Sequence, residues 1–270
     1  MWTDSHCHLD YPDFQADLDE VVDRAGKAGV QRLITIGTDL ESSRHALSLA
    51  EKYEGIYAAI GHHPCETDKL QPDEIQSLAE LTNHPKVAAL GECGLDYHHL
   101  PARSDFDSDD SWHQEMDRIR RIQMALFKDH LEAAEKLSLP VVVHQRESWD
   151  DCLELLTPYS GRVRAVFHCF SESLERAMAL IERGHLVSFT GILTFKKSTS
   201  LRETASRLPP GSYMVETDAP YLAPVPYRGR RCEPSMTADT ARVLAECRCI
   251  SLEALAAEME DTARGFFRFP

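Results

Sequence analysis

The sequence predicts a single α/β domain over residues 1–270, folded as a (β/α)8 TIM barrel. Apolar, β-rich runs alternate with amphipathic helical patterns from one end to the other, the order required by a parallel sheet wrapped in helices. Runs such as "RLITIG" (32–37) and "VVVH" (141–144) are almost continuously apolar, as expected of strands covered on both faces. No internal repeat or linker divides the 270 residues, and barrels of this kind often reach that length as one domain. A doubly wound open sheet is the alternative.

Eight strand–helix units follow in order. Trp2–His8 is a strand, and the helical pattern Phe14–Ala28 after it ends at Gly29, a C-cap signal. Arg32–Gly37 leads into Ser42–Tyr53, Ile56–Gly61 into Pro72–Leu81, and Val87–Glu92 into Gln114–Leu137. Pro140–His144 leads into Trp149–Leu156, and Ala165–His168 into Leu174–Arg183, again closed by a glycine, Gly184. Leu186–Thr190 precedes Leu201–Arg207. Tyr213–Glu216 is the last strand, with Thr237–Cys247 as its helix and Leu252–Phe267 as a C-terminal extension. Within "SDFDSDDSWHQEMD" (104–117), the acidic, Ser-rich start reads as a solvated loop. Alternate Asp105, Asp107 and Asp109 resemble a calcium loop but lack its glycine and distal glutamate.

Composition narrows the functional classes. The hydrophobic fraction of 43% and charged fraction of 27% are ordinary for a globular chain, and no apolar run approaches the roughly 20 residues of a membrane span. The first residues carry Asp4 and two histidines rather than a basic then apolar secretory signal, so a cytoplasmic protein is expected. Eight scattered cysteines then read as free thiols, and Cys247 and Cys249 are too close for a thioredoxin-type motif. A net charge of −15 argues against a broad basic surface for duplex DNA and leaves room for a small cationic site.

Chemistry-bearing residues collect where strands end, the functional face of such a barrel. In "TDSHCHLD" (3–10), strand alternation sends Asp4, His6 and His8 to one face. "GHHP" carries His62 and His63, "GECGLDY" Glu92 and Asp96, "VVVHQRE" His144, Arg146 and Glu147, "VFHCFS" His168, and "VETDAPYLAP" Glu216 and Asp218. Any one could be a strand reaching water, but their convergence reads as a first shell for Zn²⁺, Mn²⁺ or a similar ion. A shared carboxylate is suited to bridge two ions roughly 3.5–4 Å apart.

The motifs "DSHCHLD", "GECGLDYH", "HQRES", "FHCFS", "SFTGILTF" and "ETDAPYLAPVPYRGRRCEP" resemble, in order and approximate spacing, the TatD-family metal-dependent deoxyribonucleases of the amidohydrolase-like superfamily. The resemblance runs from Thr3 to about Pro234 and more weakly to the C-terminus. It implies two divalent ions (Zn, Mg or Mn) held by His6, His8, Glu92, His144, His168 and Asp218, with Glu92 bridging. His6, His8 and Asp218 would serve one ion, and His144 and His168 the other. It also implies a substrate-side role for His63, and hydrolysis of DNA phosphodiesters from a 3′ end with a preference for single strands. No membrane and no obligate protein partner are implied. Cys232 in "RGRRCEP" departs from the asparagine common at that place, the acidic segment after Tyr97 and His98 is longer than usual, and Thr262 stands where an asparagine is common.

For catalysis, two ions lower the pKa of a shared water and clamp the phosphate. Asp218 would accept or orient the water's proton, and Glu92 would fix the metal separation. Asp4 is either a support to these groups or a surface residue. Arg146, Arg228, Arg230 and Arg231 are candidate phosphate contacts, or a solvated loop in the case of the last three; Tyr97, Tyr221 and Trp112 are candidate base platforms or packing residues. The alternative activity is ester or amide hydrolysis at the same centre, for example D-aminoacyl-tRNA deacylation. No lysine stands at the strand-four end to form the carbamylated bridge of several amidohydrolase-like relatives. A non-catalytic binding protein is disfavoured because all six ligand positions hold competent groups.

Overall fold

The computed structural model describes residues 1–71 and 73–269. Its eight strands are β1 (Trp2–Cys7), β2 (Val30–Ile36), β3 (Ile56–Ile60), β4 (Val87–Asp96), β5 (Val141–Arg146), β6 (Ala165–Phe167), β7 (Leu186–Phe189) and β8 (Tyr213–Val215). They pair in parallel in that order. The barrel closes just beyond β8, where His8 N–H donates to the Ala219 carbonyl at 2.8 Å and Asp218 N–H to the His6 carbonyl at 2.9 Å. The helices are α1 (Leu18–Lys27), α2 (Leu40–Lys52), α3 (Glu74–Leu81), α4 (Asp109–Leu137), α5 (Trp149–Leu156), α6 (Leu174–Ile181), α7 (Thr199–Arg207), α8 (Thr237–Arg248) and α9 (Leu252–Phe266).

Two apolar layers hold the barrel. Phe127, Phe167, Phe189 and Tyr213 belong to the larger core cluster. Ile34, Ala59, Val142, Val166 and Met214 form a smaller one with Phe266 and Phe267 at the end of α9. Arg268 N–H donates to the Ala88 carbonyl at the start of β4, so the C-terminus covers the barrel end opposite the strand termini. No helix among the described residues is long and apolar enough to cross a membrane.

Three elements differ from expectation. The first helix starts at Leu18 rather than Phe14, because Pro12–Phe14 forms a separate 3-10 turn. The long helix α4 starts at Asp109 rather than Gln114, so most of the acidic stretch is helical and only its start is loop. Ser108 Oγ accepts the Ser111 N–H at 3.1 Å, and Asp109 and Asp110 complement the helix dipole. Asp109 pairs with Arg103 and Asp105 accepts the Ala102 N–H, so the alternate aspartates do not converge on a calcium site. Strand β4 runs four residues past Glu92, and the predicted start of the third helix, Pro72, lies outside the described residues.

Candidate metal centre

Two bulges aim the central side chains. On β1, Asp4 pairs with Leu33 and Cys7 with Thr35, so one extra residue is inserted and the strict alternation expected over residues 3–9 breaks. Asp4 is consequently buried at the β1–β8 seam, not at the surface. It accepts the Thr217 hydroxyl at 2.6 Å, the Thr217 N–H at 3.0 Å and the His6 N–H at 3.2 Å. His6 and His8 still meet, with their Nε2 atoms 3.2 Å apart. On β4, Leu90 pairs with Val141 and Cys93 with Val143, which places Glu92 within a second bulge. Gly91 and Gly94 permit it: both have positive φ (131° and 138°), and a Cβ at Gly94 would overlap the His144 carbonyl.

Glu92 then divides the cluster between its two oxygens. Oε2 lies 3.3 Å from His6 Nε2 and 3.8 Å from His8 Nε2, and Asp218 Oδ1 completes this set at 3.7 and 3.5 Å from the same two nitrogens. Oε1 lies 2.9 Å from His144 Nδ1, 2.8 Å from His168 Nε2 and 3.4 Å from His63 Nε2. All six side chains are buried or nearly so. So many lone pairs gathered away from water are costly without positive charge, and imidazole with carboxylate is the donor set of borderline divalent ions, so these residues fit a metal.

The charges already lean that way. Burial alone would raise the Glu92 pKa, but the His168, His63 and His6 rings outweigh it and hold the carboxyl well below its usual range. Burial likewise opposes ionisation of Asp218, yet its bond to His8 and the nearby His6 and His168 lower its pKa. For His168, burial is overcome by Glu92 and Glu216, and its pKa rises.

Supporting residues fix the rings. Asp96 Oδ2 accepts from His144 Nε2 at 2.9 Å, which leaves His144 Nδ1 as the nitrogen facing Glu92. Glu216 lies 3.5 Å from His168 Nδ1 and is itself held by the Cys169 N–H at 2.6 Å and the Ser188 hydroxyl at 2.5 Å. The two adjacent histidines part ways. His62 is buried between Glu74 at 2.5 Å and the Glu66 carbonyl at 2.7 Å. His63 Nδ1 accepts the Cys65 N–H at 3.0 Å, so its Nε2 carries the proton and presents a donor to the pocket.

A cavity of about 270 Å³ opens over this cluster, lined among others by His8, Tyr11, His63, Cys65, His99 and Tyr221. Arg146, Arg228 and Arg230 are not among its lining residues: Arg146 ends β5 in solvent, Arg228 stacks over Phe195, and Arg230 lines a separate groove beside α1 and α8. Arg231 is paired with Asp17 at 2.7 Å and with Glu233 at 2.9 Å, which ties its loop to the start of α1. Tyr97 donates to Asp151 beneath Arg120, and Trp112 donates to the Pro101 carbonyl; of the three candidate platforms only Tyr221, 53% exposed, borders the pocket. Cys232 is buried with its N–H on the Pro220 carbonyl. Asp96 and Glu216 stand out in the sequence as strand-end acids, but which histidine each faces does not; Tyr11 and His99 carry no sequence signal of their own.

A parallel barrel with this cluster at its strand ends is the scaffold of a metal-dependent hydrolase. Residues 3–268 match the family described as TatD related DNase, and the chain belongs to that family. It is 32% identical over 269 residues to the uncharacterized metal-dependent hydrolase YabD of Bacillus subtilis (strain 168), covering 99% of each chain. It is 33% identical over 272 residues to the uncharacterized metal-dependent hydrolase YcfH of Escherichia coli (strain K12), covering 98% of this chain and 94% of that one. The crystal structure of YjjV, a TatD homolog from Escherichia coli K12, superposes with a TM-score of 0.85 at 30% identity, covering 100% of this chain and 98% of the other.

Proposed function

We propose that this hydrolase cleaves phosphodiester bonds of DNA, taking single strands from a 3′ end, at a centre of two divalent ions. The observation that carries the reading is the division of Glu92, with one oxygen facing His6, His8 and Asp218 and the other facing His144 and His168. Two ions bound there would supply Lewis-acid stabilisation of the phosphate and a water acidic enough to attack it near neutral pH. Asp218, held ionised, takes the water's proton on its carboxylate, and His63 Nε2–H donates to a phosphate oxygen. Glu92 fixes the spacing of the two donor sets, Asp96 holds the ring of His144 by a hydrogen bond, and Glu216 sets a carboxylate 3.5 Å from His168 Nδ1.

Pocket size and charge favour a strand end. The cavity lies near the small limit of ligand pockets, roughly 300–1,000 Å³, so it suits one nucleotide rather than a duplex. A chain of net charge −15 repels a long duplex more than one strand end that meets the centre. The family description points the same way.

The test is digestion of a 3′-labelled single-stranded oligonucleotide by chelator-stripped protein, with Mg²⁺, Mn²⁺ and Zn²⁺ restored singly. Nucleotide release that His6→Ala and Glu92→Ala abolish supports the reading. No release with ions bound would turn the assignment to an ester or amide, such as D-aminoacyl-tRNA.

A further inference from the structure

We propose that Cys65, Asp96 and His99 form a third cation site at the mouth of the pocket, selective for a soft divalent ion such as Zn²⁺, and that filling it weakens the neighbouring centre through Asp96. The second half of this proposal rests on the two-ion reading above.

The three residues come from two adjoining strand ends. Cys65 lies in the 3-10 segment Pro64–Lys69 after β3, Asp96 ends β4, and His99 follows three residues later. A ligand atom from each lies within 4.8 Å of the other two, and all three residues line the same pocket. One sulfur, one imidazole nitrogen and one carboxylate oxygen make a mixed set that Zn²⁺ takes readily and the harder Mg²⁺ does not.

The hydrogen bonds already trace a coordination geometry. His99 Nδ1 donates to Asp96 Oδ2 at 2.8 Å. An ion about 2.0–2.1 Å from each of these atoms would span that gap with little movement, in place of the proton between them. Cys65 is exposed and His99 is half exposed, which leaves a route in and room for water to complete the shell. On binding, the Cys65 thiol releases its proton to solvent and forms the S–metal bond, while the proton that His99 Nδ1 shared with Asp96 is lost to solvent and one is taken up at Nε2, so the ring stays neutral as the Nδ1–metal bond forms. The thiolate and the Asp96 carboxylate then balance the two positive charges of the ion.

The link to the centre is a single atom, because Asp96 Oδ2 also accepts from His144 Nε2 at 2.9 Å. A cation drawing charge from that oxygen weakens the bond that makes His144 Nδ1 a good donor toward the Glu92 side.

Metal content after equilibration with Zn²⁺ and removal of free ion tests the site. Three ions in the parent and two in Cys65→Ser are expected. Two in both would overturn the third site and leave the two-ion reading standing; one in the parent and none in the variant would keep the third site and overturn the two-ion reading. Co²⁺ added to Mg²⁺-saturated protein should give a near-ultraviolet thiolate charge-transfer band that Cys65→Ser and His99→Ala remove and Cys249→Ser keeps; a band unchanged in Cys65→Ser would overturn the assignment. For the link, direct exchange at the centre lowers both proteins alike. One equivalent of Zn²⁺ in excess Mg²⁺ should therefore cost the parent about tenfold more of its own activity than Cys65→Ser. Equal losses would overturn the regulatory half.

Discussion

Replacing Asp96 with asparagine would move a proton on His144. The carboxylate accepts four hydrogen bonds: at Oδ1 the His98 and His99 backbone N–H groups, both at 2.9 Å, and at Oδ2 His99 Nδ1 at 2.8 Å and His144 Nε2 at 2.9 Å. An amide has one oxygen for these two sides. Its NH₂ cannot face the two fixed backbone donors, so it turns to the rings, and His144 Nε2 must then accept. The ring proton moves to Nδ1, the atom 2.9 Å from Glu92 Oε1 and 3.1 Å from His168 Nε2, and a protonated nitrogen is no ligand. Losing an orienting partner of this kind costs about 10–100-fold in metal affinity, or about 1.4–2.7 kcal/mol. On the two-ion reading, calorimetric titration of chelator-stripped protein with Mn²⁺ should show one of two binding steps weakened by that factor. The step belonging to His6, His8 and Asp218 should move by less than about threefold, the scatter of single contacts between contexts. Two unchanged steps would refute the argument that Asp96 sets the His144 tautomer.

Three further outcomes are expected. His130 is buried and neutral, with Nδ1–H on the Leu126 carbonyl and Nε2 accepting the His62 N–H, and burial lowers its pKa to about 4 from the ordinary 6.5. Because the folded-state value lies below the unfolded one, its contribution is complete above pH 6.5 and is lost as pH falls toward 4, by about 3 kcal/mol. Unfolding free energies from urea titrations at pH 7 and pH 4 should differ by that much more in the parent than in His130→Gln, and equal differences would count against it. Gly94→Ala sets a Cβ against the His144 carbonyl at a φ of 138° and should cost about 3 kcal/mol or more, read as a lowered thermal midpoint; an unchanged midpoint would contradict the bulge. If bases stack on Tyr221, Tyr221→Ala should raise KM for single-stranded DNA about 5–150-fold, the equivalent of about 1–3 kcal/mol, with kcat kept and Tyr221→Phe restoring KM. A fall in kcat alone would assign Tyr221 to the chemistry instead.

The strand order and the gathering of polar residues at one face were legible because they lie where apolar runs end, and a barrel brings all such ends together; the choice of His6, His8, Glu92, His144, His168 and Asp218 from among them came from the family resemblance. The two bulges were not, since an inserted residue shows only against the partner strand: nothing in "TDSHCHLD" says that Asp4 will face Thr217, more than two hundred residues away. Arg231 fails for the same reason. Its partner Asp17 is equally remote in sequence, so a basic loop read in isolation looks free to bind phosphate. The start of α4 was within reach, because Ser108 followed by Asp109 and Asp110 is an N-cap signal; the acidic composition of the stretch hid it.

Barrel closure and site assembly are the same structural event. Strand β8 is three residues long, and the bonds that join its end to β1 run from His8 N–H to Ala219 and from Asp218 N–H to His6, with Asp4 braced between Thr217 and His6. The first donor set therefore bridges the N-terminal strand and the last one, whereas Glu92, His144 and His168 lie on or just after β4, β5 and β6, which already pair with one another. Terminal strands open locally at low cost, so an ion on the first set should act as a clasp on the seam. Hydrogen exchange at the His8 and Asp218 amides should slow on metal binding in the parent and in His168→Ala, but not in His6→Ala. Equal slowing in both variants would show that the seam holds without the clasp.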